Sequence, residues 1–501
     1  MFARRAVTLA IASLILAPLV RSQKVPAELR DAQGRLEDRR EEQVQAGAQT
    51  CVSTNSVPAA ELLLGVMDRT ERLSRNHLTA AHYRDVTFPY LKKVKDIYAQ
   101  QRVALELRKN RKNPFARQWA AEALGFYGRP DHGPALLKAL SDKDLGVKRW
   151  AAWSIGKIGY EPAIKKLKAL SVHANEYVRG NAIEALARID AQFSGTMQTA
   201  IKGDRSAGVR AALLAAAPDL CKGVAESLAV AALKDTDWRP RMQAVDNLRS
   251  TKSKTSVDAL ITALNDARSA VGVRAMTSLQ TLTGQPISQQ EVWPKWWADN
   301  RETFEFPESS DGSTKAKRKQ ATIAFEGIPL DSDHVAFVID KSIWMQKKVE
   351  SSDQQETRDE ASLDELRNVI KKLTDTDVEF SIWVYDEEVQ RLGKKSVKLT
   401  KKAAARALKF ASSEATGKEK NVWQVLEQVV MDPKIDTIYY ISSGEADAGL
   451  YVHGERLGRH IADLNRFYKK TIHSIAYSQK GYFPHVKPIS DMTGGTFRGI
   501  E

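Results

Sequence analysis

The sequence has little cysteine, with only Cys51 and Cys221 in 501 residues. That scarcity excludes a small disulfide-stapled fold, and because the two cysteines fall in different predicted segments, whether they pair is left open. Several catalytic signatures are also missing: a Cys-x-x-Cys pair, a glycine-rich phosphate loop and a Gly-x-Ser-x-Gly nucleophile turn. The sequence gives no reason to assign a catalytic residue or a cofactor, and we predict that the protein is not an enzyme.

Beyond its N-terminus the chain lacks any apolar run of the roughly 18 residues that a membrane-spanning helix needs. Residues 1–22 differ, because Arg4 and Arg5 precede an apolar run over residues 6–20 that ends in small or medium-sized residues. This pattern predicts a secretory signal peptide, with an uncleaved N-terminal anchor as the alternative. We therefore expect an exported protein, periplasmic or extracellular.

No segment is dominated by charge of one sign, although the chain has a formal net charge of +14. The 76 lysines and arginines are spread among 62 acidic residues, and no compact basic block contains interleaved aromatic residues. Such a distribution disfavours specific nucleic-acid binding. An anionic polymer of the cell envelope suits a basic exported protein better, and a simple contribution to solubility is the alternative.

Residues 113–306 repeat one helical pattern at a fixed interval. In each copy a basic residue precedes a helix rich in small residues, such as WAAEALG, and a second helix, such as ALLKALSD, separates successive copies. This period, with two helices per unit, predicts an α-solenoid in which no unit buries its apolar face alone. The bases recur every 31 positions, the last after 33: Arg117, Lys148, Arg179, Arg210, Arg241 and Arg274.

The pattern resembles HEAT repeats, including the short kind seen in phycobiliprotein-lyase-like proteins. We expect the periodic bases to stack the array by pairing with acids of the loops before them, such as Asp142 or Asp237, and a basic ligand-binding ladder is the alternative. Trp293, Trp296 and Trp297 follow at near-helical spacing. We interpret these tryptophans as a hydrophobic cap on the last repeat rather than as a carbohydrate platform.

Two other segments flank the array. Residues 23–112 are rich in charge and helix formers, and their heptads are too short to favour a coiled coil, so they predict an N-terminal helical cap or hairpin. Residues 307–320, PESSDGSTKAKRKQ, are polar and have no apolar period, which predicts a linker. The remaining residues, 321–501, form the C-terminal part.

This C-terminal part alternates predicted strands with predicted helices, which indicates an open parallel sheet with helices on both faces. The chain is therefore predicted to be multidomain, with an α-solenoid of HEAT-like repeats followed by a Rossmann-like α/β domain. The predicted strands are residues 335–339, 378–385, 437–442 and 471–476, and the predicted helices are residues 363–373, 403–412, 422–430 and 455–467.

The segment HVAFVIDKSIWM joins a buried strand to an acidic loop, and it puts Asp340 and Ser342 where parallel sheets place ligand sites. It resembles the first motif of von Willebrand factor A (VWA) domains, Asp-x-Ser-x-Ser, and DTIYYISSGEADAG resembles their fourth-strand motif. The resemblance covers residues 321–501 and extends to bacterial exported proteins that join HEAT repeats to a VWA domain. It implies a Rossmann-like VWA domain, which usually binds a divalent cation completed by a partner's carboxylate.

The metal site implied by this resemblance is degenerate. Asp340 and Ser342 match the motif, but Trp344 replaces a serine, Lys420 falls at the threonine ligand and Ser443 replaces an aspartate. An indole offers no lone pair to a metal and an ammonium group repels one, so we predict that no metal binds. We hypothesise that the Lys420 ammonium takes the cation's role near Asp340.

The histidines do not predict a second metal site. His453 and His460 are seven residues apart and His77 and His82 are five apart. Neither pair has a third ligand at a characteristic spacing, so packed or exposed histidines are favoured over zinc ligands.

These features favour a non-enzymatic exported scaffold, in which a solenoid surface and a metal-independent VWA-like domain bind protein partners. One alternative is a cation-dependent VWA adhesion module. A second, suggested only by the repeat type, is a bilin-lyase-like enzyme, which export and the absence of an identifiable pigment-reactive group oppose. The candidate partner-binding residues are Lys341, Trp344, Lys420 and Glu445.

Overall fold

The computed structural model describes residues 25–69, 79–109, 114–307, 323–350, 356–374, 376–413 and 417–501. The predicted signal peptide and residues 308–320 of the predicted linker lie outside this set. Within it, no helix is both long enough and apolar enough to cross a membrane. The chain forms a helical part and then an α/β part, which is the predicted order.

Helices of the N-terminal segment share a hydrophobic core with the first repeats. Leu63, Tyr83 and Val103 are fully buried in the same cluster as Leu124 and Ile155 of the repeats. The segment therefore packs onto the array as a helical cap. Its helices are α1 (Arg30–Arg35), α2 (Glu41–Thr54), α3 (Val57–Met67), α4 (Ala80–Leu91) and α5 (Ile97–Lys109).

The repeats form the predicted helical solenoid. We call the helices that carry the periodic bases the inner helices, because they face the α/β part, and those between them the outer helices. The inner helices are α6 (Pro114–Tyr127), α8 (Leu145–Ile158), α10 (Glu176–Ile189), α12 (Ala207–Leu220), α14 (Trp238–Arg249) and α16 (Ser269–Thr283). The outer helices are α7 (Gly133–Ala139), α9 (Ile164–Leu170), α11 (Ser194–Gly203), α13 (Ala225–Ala232) and α15 (Lys254–Ala263), and α17 (Val292–Asn300) ends the array.

Local sequence explains where inner helices begin and how closely they pack. The side chains of Asp144, Asn175 and Ser206 each accept a hydrogen bond from a backbone amide in the first turn, which satisfies a donor that the helix leaves unpaired. Small residues then allow close approach, since a Cβ at Gly125 would lie 2.4 Å from the Ser154 hydroxyl of the next inner helix. Caps and small residues at repeated positions therefore set the stacking.

Four of the periodic arginines form bidentate ion pairs that tie one repeat to the next. Each acid lies 25 residues after its base, in the loop before the next inner helix, whereas we predicted an acid from the loop before the base. The loop before the base supplies a backbone carbonyl instead; for example, Arg210 Nη1 donates to the Asp204 carbonyl at 2.6 Å. Asp237, which we expected to pair with a periodic base, forms its ion pair with Arg239. The ion pairs, with Nε–Oδ2 distances of 2.7–2.8 Å, are Arg117–Asp142, Arg179–Asp204, Arg210–Asp235 and Arg241–Asp266.

The other two periodic bases differ from these four. Lys148 lies half-buried in the first turn of α8. Arg274 lies 3.7 Å from Asp246 and donates to the Thr471 hydroxyl of the α/β part at 3.2 Å. The last base therefore joins the solenoid to the domain that follows it.

The tryptophans after the last repeat are packed against the array. Trp293 and Trp297 are buried, and their indole nitrogens donate to the Met276 sulfur at 3.1 Å and to Asp258 Oδ1 at 2.6 Å. Trp296 stacks on Trp297, with 5.9 Å between the ring centroids. Burial of this kind is expected of a cap that seals the final repeat and not of an exposed carbohydrate platform.

The α/β part contains a sheet in the strand order β5-β4-β3-β7-β8-β9, with β6 paired to β4. The pairs among β4, β3, β7, β8 and β9 are parallel, and β5 and β6 run antiparallel at one edge. The strands are β1 (Ala324–Phe325), β2 (Ile328–Pro329), β3 (His334–Asp340), β4 (Glu379–Tyr385), β5 (Val389–Arg391), β6 (Val397–Lys398), β7 (Thr437–Ser442), β8 (Thr471–Tyr477) and β9 (Phe497–Ile500). The helices are α18 (Arg358–Leu373), α19 (Lys401–Ala411), α20 (Val422–Val430), α21 (Gly454–Asn465) and α22 (Phe483–Thr493).

The inner helices of the solenoid pack directly against the α/β part. Leu213 of α12 and Ile461 of α21 belong to one buried cluster, and a Cβ at Gly180 would lie 3.0 Å from the Phe467 ring. This face, which we expected to be open to partners, is occupied by the chain's own C-terminal part. Polar contacts across the junction are Glu122–Arg456 (2.8 Å), Arg149–Asp463 (2.9 Å), Tyr177–Tyr468 (2.8 Å), Asp246–Lys469 (3.3 Å), Arg268–Asp436 (2.6 Å) and Ser269–Asp333 (2.8 Å).

Arg456 provides a test of this junction. Its guanidinium is 9% exposed and lies 2.8 Å from Glu122 and 3.4 Å from Asp85, which are 1% and 3% exposed. Arg456→Ala is expected to lower the free energy of unfolding by about 3–5 kcal/mol, because two buried carboxylates lose their cation. Arg459→Ala removes an exposed pair with Glu455 and should cost less than about 0.5 kcal/mol. Urea unfolding curves for both variants measure this difference, and equal losses would contradict the assignment.

Lys470, directly before β8, is a buried lysine at the same junction. Its Nζ donates to the Asp432 carbonyl at 2.7 Å and to the Ile435 carbonyl. Burial lowers the pKa of Lys470 from 10.5 to about 7, although attraction to Asp436 opposes the change. Between these two pH values the unfolded chain holds more protons than the folded chain. The contribution of Lys470 to the free energy of unfolding therefore rises with pH across this window.

Unfolding measured from pH 6 to pH 10 tests this pKa. The free energy of unfolding of the wild type minus that of Lys470→Met should be constant below about pH 6 and should then rise by at most about 1.4 kcal/mol per pH unit. Lys480→Met removes an exposed lysine and serves as the control, with a difference that does not change with pH below about 9. If this difference for Lys470→Met did not change with pH, the Lys470 ammonium of the wild type would have an ordinary pKa.

Candidate functional site

The candidate site lies where the two central strands of the sheet end. Asp340 is the last residue of β3, and Ser443 follows β7, its parallel neighbour. Lys420 directly precedes Asn421, whose side chain caps the first turn of α20. Because carboxyl ends of parallel strands meet at one edge, these residues converge there. We call Asp340, Ser342, Lys420 and Ser443 the pole.

Asp340 is fully buried and its carboxylate is satisfied by neutral donors. Oδ1 accepts from the Ser342 amide at 2.8 Å. Oδ2 accepts from the Ser443 amide at 2.8 Å and from the Ser443 hydroxyl at 2.6 Å. Ser443, at a position where the resemblance places an aspartate ligand, therefore donates its hydroxyl to the Asp340 carboxylate.

Lys420 reaches this carboxylate through Ser443. The lysine is 3% exposed, its Nζ donates to Ser443 Oγ at 3.2 Å, and it lies 3.6 Å from Asp447 Oδ2. Among the described residues no direct ion pair joins Lys420 to Asp340. The lysine thus lies beside the predicted cation position, with one hydroxyl between the two charges. Burial raises the pKa of Asp447, and the Lys420 ammonium opposes that rise.

A second buried cation near the pole was missed by the sequence analysis. Arg358, the first residue of α18, is 7% exposed. Burial lowers its pKa, and the nearby charges that oppose this include Glu350 and Asp340. Nothing in the local sequence distinguishes Arg358 from other helix-start arginines, because its position depends on how α18 packs on the sheet.

Trp344 lies at the surface next to the pole. It belongs to a short 3₁₀ turn, Ile343–Gln346, and is 38% exposed, while Ile343 is 52% exposed. Lys347 Nζ lies 4.5 Å from the Trp344 ring centroid and Lys420 Nζ lies 5.7 Å from it, within range of cation–π attraction. The indole, which stands where the resemblance places a ligand serine, is therefore partly exposed to solvent and lies within cation–π range of the buried Lys420 ammonium.

Tyr482 adds a third exposed apolar residue that sequence reasoning did not identify. It is 44% exposed, and its Cβ lies 3.0 Å from the position that a Cβ on Gly444 would take, beside Ser443. It stands 138 residues beyond Trp344 in the sequence, so only the fold shows that they flank the same pole. We call Ile343, Trp344 and Tyr482 the apolar patch.

Two other residues predicted to bind a partner are engaged inside the chain. Lys341 is 3% exposed and its Nζ donates to both oxygens of Asp359, at 2.6 and 2.9 Å. Burial raises the pKa of Asp359 although this ammonium opposes the rise. Glu445 forms an ion pair with His82 of α4. With Lys420 also buried, Trp344 is the one predicted residue whose side chain is substantially exposed.

The remaining predictions concern the two cysteines and the histidine pairs. Cys51 and Cys221 are both free and buried, so they do not pair. His460 is buried against Tyr451 with ring centroids 3.7 Å apart, and burial lowers its pKa well below the usual range. His77 lies outside the described residues.

Comparison with known proteins confirms the repeat type. Residues 102–187 match the family model for HEAT repeats. No curated protein matches the chain. Similar solved structures include the complex of CpcE and CpcF of phycocyanin lyase from a Nostoc species (16% identity, TM-score 0.28, covering 52% of this chain and 99% of that chain), YibA of Escherichia coli (18%, 0.34, 51% and 96%) and human deoxyhypusine hydroxylase in complex with glycerol (17%, 0.23, 50% and 95%). Similarities this weak carry no argument about activity.

Magnesium titration tests the prediction that the pole does not hold a cation. Calorimetry of the wild type with Mg²⁺ should show no binding, because Asp340 is satisfied by Ser443 and flanked by Lys420. The triple variant Trp344→Ser, Lys420→Thr, Ser443→Asp is expected to bind one Mg²⁺. The single variant Trp344→Ser keeps Lys420 and should show no Mg²⁺ binding. Strong Mg²⁺ binding by the wild type would refute the prediction.

Proposed function

We propose that this chain is a non-enzymatic exported scaffold whose α/β part, a metal-independent VWA-like domain, binds a protein partner at the apolar patch. The VWA motifs in β3 and β7 and the signal-like N-terminus support the proposal. The parallel sheet with helices on both faces is compatible with such a domain. In this scheme the solenoid holds the domain, and the pole end of the sheet receives the partner.

The exposure of the apolar patch carries the proposal. Ile343, Trp344 and Tyr482 are large apolar side chains that remain exposed next to a fully hydrogen-bonded buried acid. Trp344 lies near Lys420 and Tyr482 lies near Gly444, so both exposed aromatic residues are close to the pole. Exposed aromatic residues are typical of the energetic centres of protein interfaces. Lys347, over the Trp344 ring, adds a positive rim. The fitting partner therefore presents an apolar side chain flanked by carboxylates.

The inner face of the solenoid packs against the α/β part, and this contact limits what the solenoid can bind. Its inner face holds α21 and the following turn, with Phe467 against Gly180 and Arg239 Nη1 donating to the Phe467 carbonyl at 3.4 Å. That face is therefore not available as an open groove. We assign the solenoid the role of fixing the orientation of the VWA-like domain.

Affinity purification from the native envelope, with and without a chelator, tests the proposal. The same partner should be recovered in both conditions, since the pole needs no cation. Trp344→Ala should reduce recovery at least about tenfold, as removal of an interface hot spot costs roughly 2 kcal/mol or more. Val172→Ala, which alters a highly exposed solenoid residue, is the matched control and should recover partner normally. Loss of the partner on chelation that added Mg²⁺ restores would instead favour a cation-dependent adhesion module.

A further inference from the structure

Three distant segments bring metal-ligating side chains together beside the pole. Glu41 of α2, His82 of α4 and Glu445, which follows β7, each place one ligand atom within 4.8 Å of the other two. His82 Nε2 contacts Glu445 Oε1 directly. The residues are 41 and 363 positions apart in the sequence, which explains why spacing arguments do not find this group.

Two more imidazoles extend the cluster. His485 Nδ1 lies 3.7 Å from Glu445 Oε1 and is buried without a hydrogen-bond partner. His453 Nε2 lies 3.7 Å from Glu41 Oε1, and the His453 and His485 ring centroids are 5.9 Å apart. His485 Nδ1 is thus a buried imidazole nitrogen without a hydrogen-bond partner, near a carboxylate that already contacts another imidazole. In the neutral tautomer that leaves this nitrogen unprotonated, it can serve as a metal ligand.

The backbone around the cluster is held firmly. The buried Asp85 carboxylate, on the same helix as His82, accepts from the amides of Val452 at 2.7 Å and His453 at 3.2 Å. A Cβ at Gly454 would lie 2.4 Å from the His485 Cα. The backbone segments that carry His453 and His485 are therefore in close contact. Ligands mounted on fixed elements need only side-chain rotation to close on an ion.

From this geometry we infer a zinc site formed by Glu41, His82, Glu445 and His485, with His453 at its edge. Mixed imidazole and carboxylate donors suit Zn²⁺, whereas Mg²⁺ and Ca²⁺ prefer oxygen ligands alone. Bonds of about 2.0–2.1 Å in a tetrahedron place ligand atoms roughly 3.3 Å apart. The direct contact between His82 and Glu445 must therefore open to admit the ion, while the Glu41 ligand atom, within 4.8 Å of both, must approach by at most about 1.5 Å. His485, whose Nδ1 lies 3.7 Å from Glu445, must turn toward the other ligands. The ion would tie the N-terminal cap to the α/β part, next to a pole that holds none.

A second group of similar composition provides the matched control. Asp333, His334 and Asp436 also place ligand atoms within 4.8 Å of one another. Asp436, however, is already bound by Arg268 at 2.6 Å and by the Ser332 hydroxyl at 2.5 Å. An arginine at the carboxylate disfavours a cation there, so His334 should not contribute to zinc binding.

The test is titration of the full chain, freed of metal by a chelator, with ZnCl₂ by calorimetry and native mass spectrometry. The wild type should bind one Zn²⁺ and melt at a higher temperature with zinc than without. His485→Ala and Glu445→Gln should each weaken binding at least about tenfold, and His334→Ala should bind as the wild type does. Co²⁺ in place of zinc should give the visible absorption of a tetrahedral site in the wild type and lose it in His485→Ala.

Two results would overturn the assignment. One is a wild-type chain that takes up no zinc, and the other is a bound zinc that survives both His485→Ala and Glu445→Gln or is lost in His334→Ala. Far-UV circular dichroism in the presence of chelator checks that the variants fold. Glu41 lies at the half-exposed side of the cluster, so Glu41→Gln tests the loss of zinc binding with the least disturbance of packing. Failure of the zinc site leaves the proposed partner patch untouched, since the two are measured separately.

Discussion

The burial of α21 against the inner helices of the solenoid is the contact on which the rest of the structure depends. Arg456 of α21 lies between Glu122 of the first repeat and Asp85 of the N-terminal cap, inside an apolar surround that includes the Phe88 ring 3.7 Å away. A buried ion pair of this kind tolerates little displacement, because separation would leave charges without water or a partner. It therefore holds the cap, the repeats and the sheet in one arrangement, which places Glu445 against His82 beside the buried pole.

At the pole, internal hydrogen bonds take the place that a cation would fill. Asp340 is satisfied by the Ser443 hydroxyl and amide, and Lys420 supplies positive charge one hydroxyl away. Ser443 therefore donates to Asp340 and Lys420 donates to Ser443, which satisfies the buried acid through groups of this chain. Trp344 lies near this network, with its ring centroid 5.7 Å from Lys420 Nζ, and remains 38% exposed. The histidine and glutamate cluster lies beside it and has a different donor chemistry.

Much of the fold could be predicted because its signals are local. The 31-residue period, the buried run 335–339 and the alternation of strands and helices each depend on neighbouring residues, and the observed elements follow them. The structure places Lys420 near Asp340, and the link between them passes through the Ser443 hydroxyl. The acid partner of each repeat arginine was misplaced by one repeat, because a long side chain can turn toward either flanking loop and sequence alone does not choose.

The sequence by itself determined the class of each part: repeats that must stack, a sheet buried on both faces, and an acidic strand end whose usual ligands are replaced. Periodicity and residue chemistry suffice for these conclusions, since hydrophobic burial acts on patterns within a few residues. Only the tertiary structure decided which surfaces stay free and which charges meet. Lys341 pairs with Asp359, α21 covers the inner face of the solenoid, and Glu445 pairs with His82. Long-range packing selects this one set of partners among many that the sequence allows.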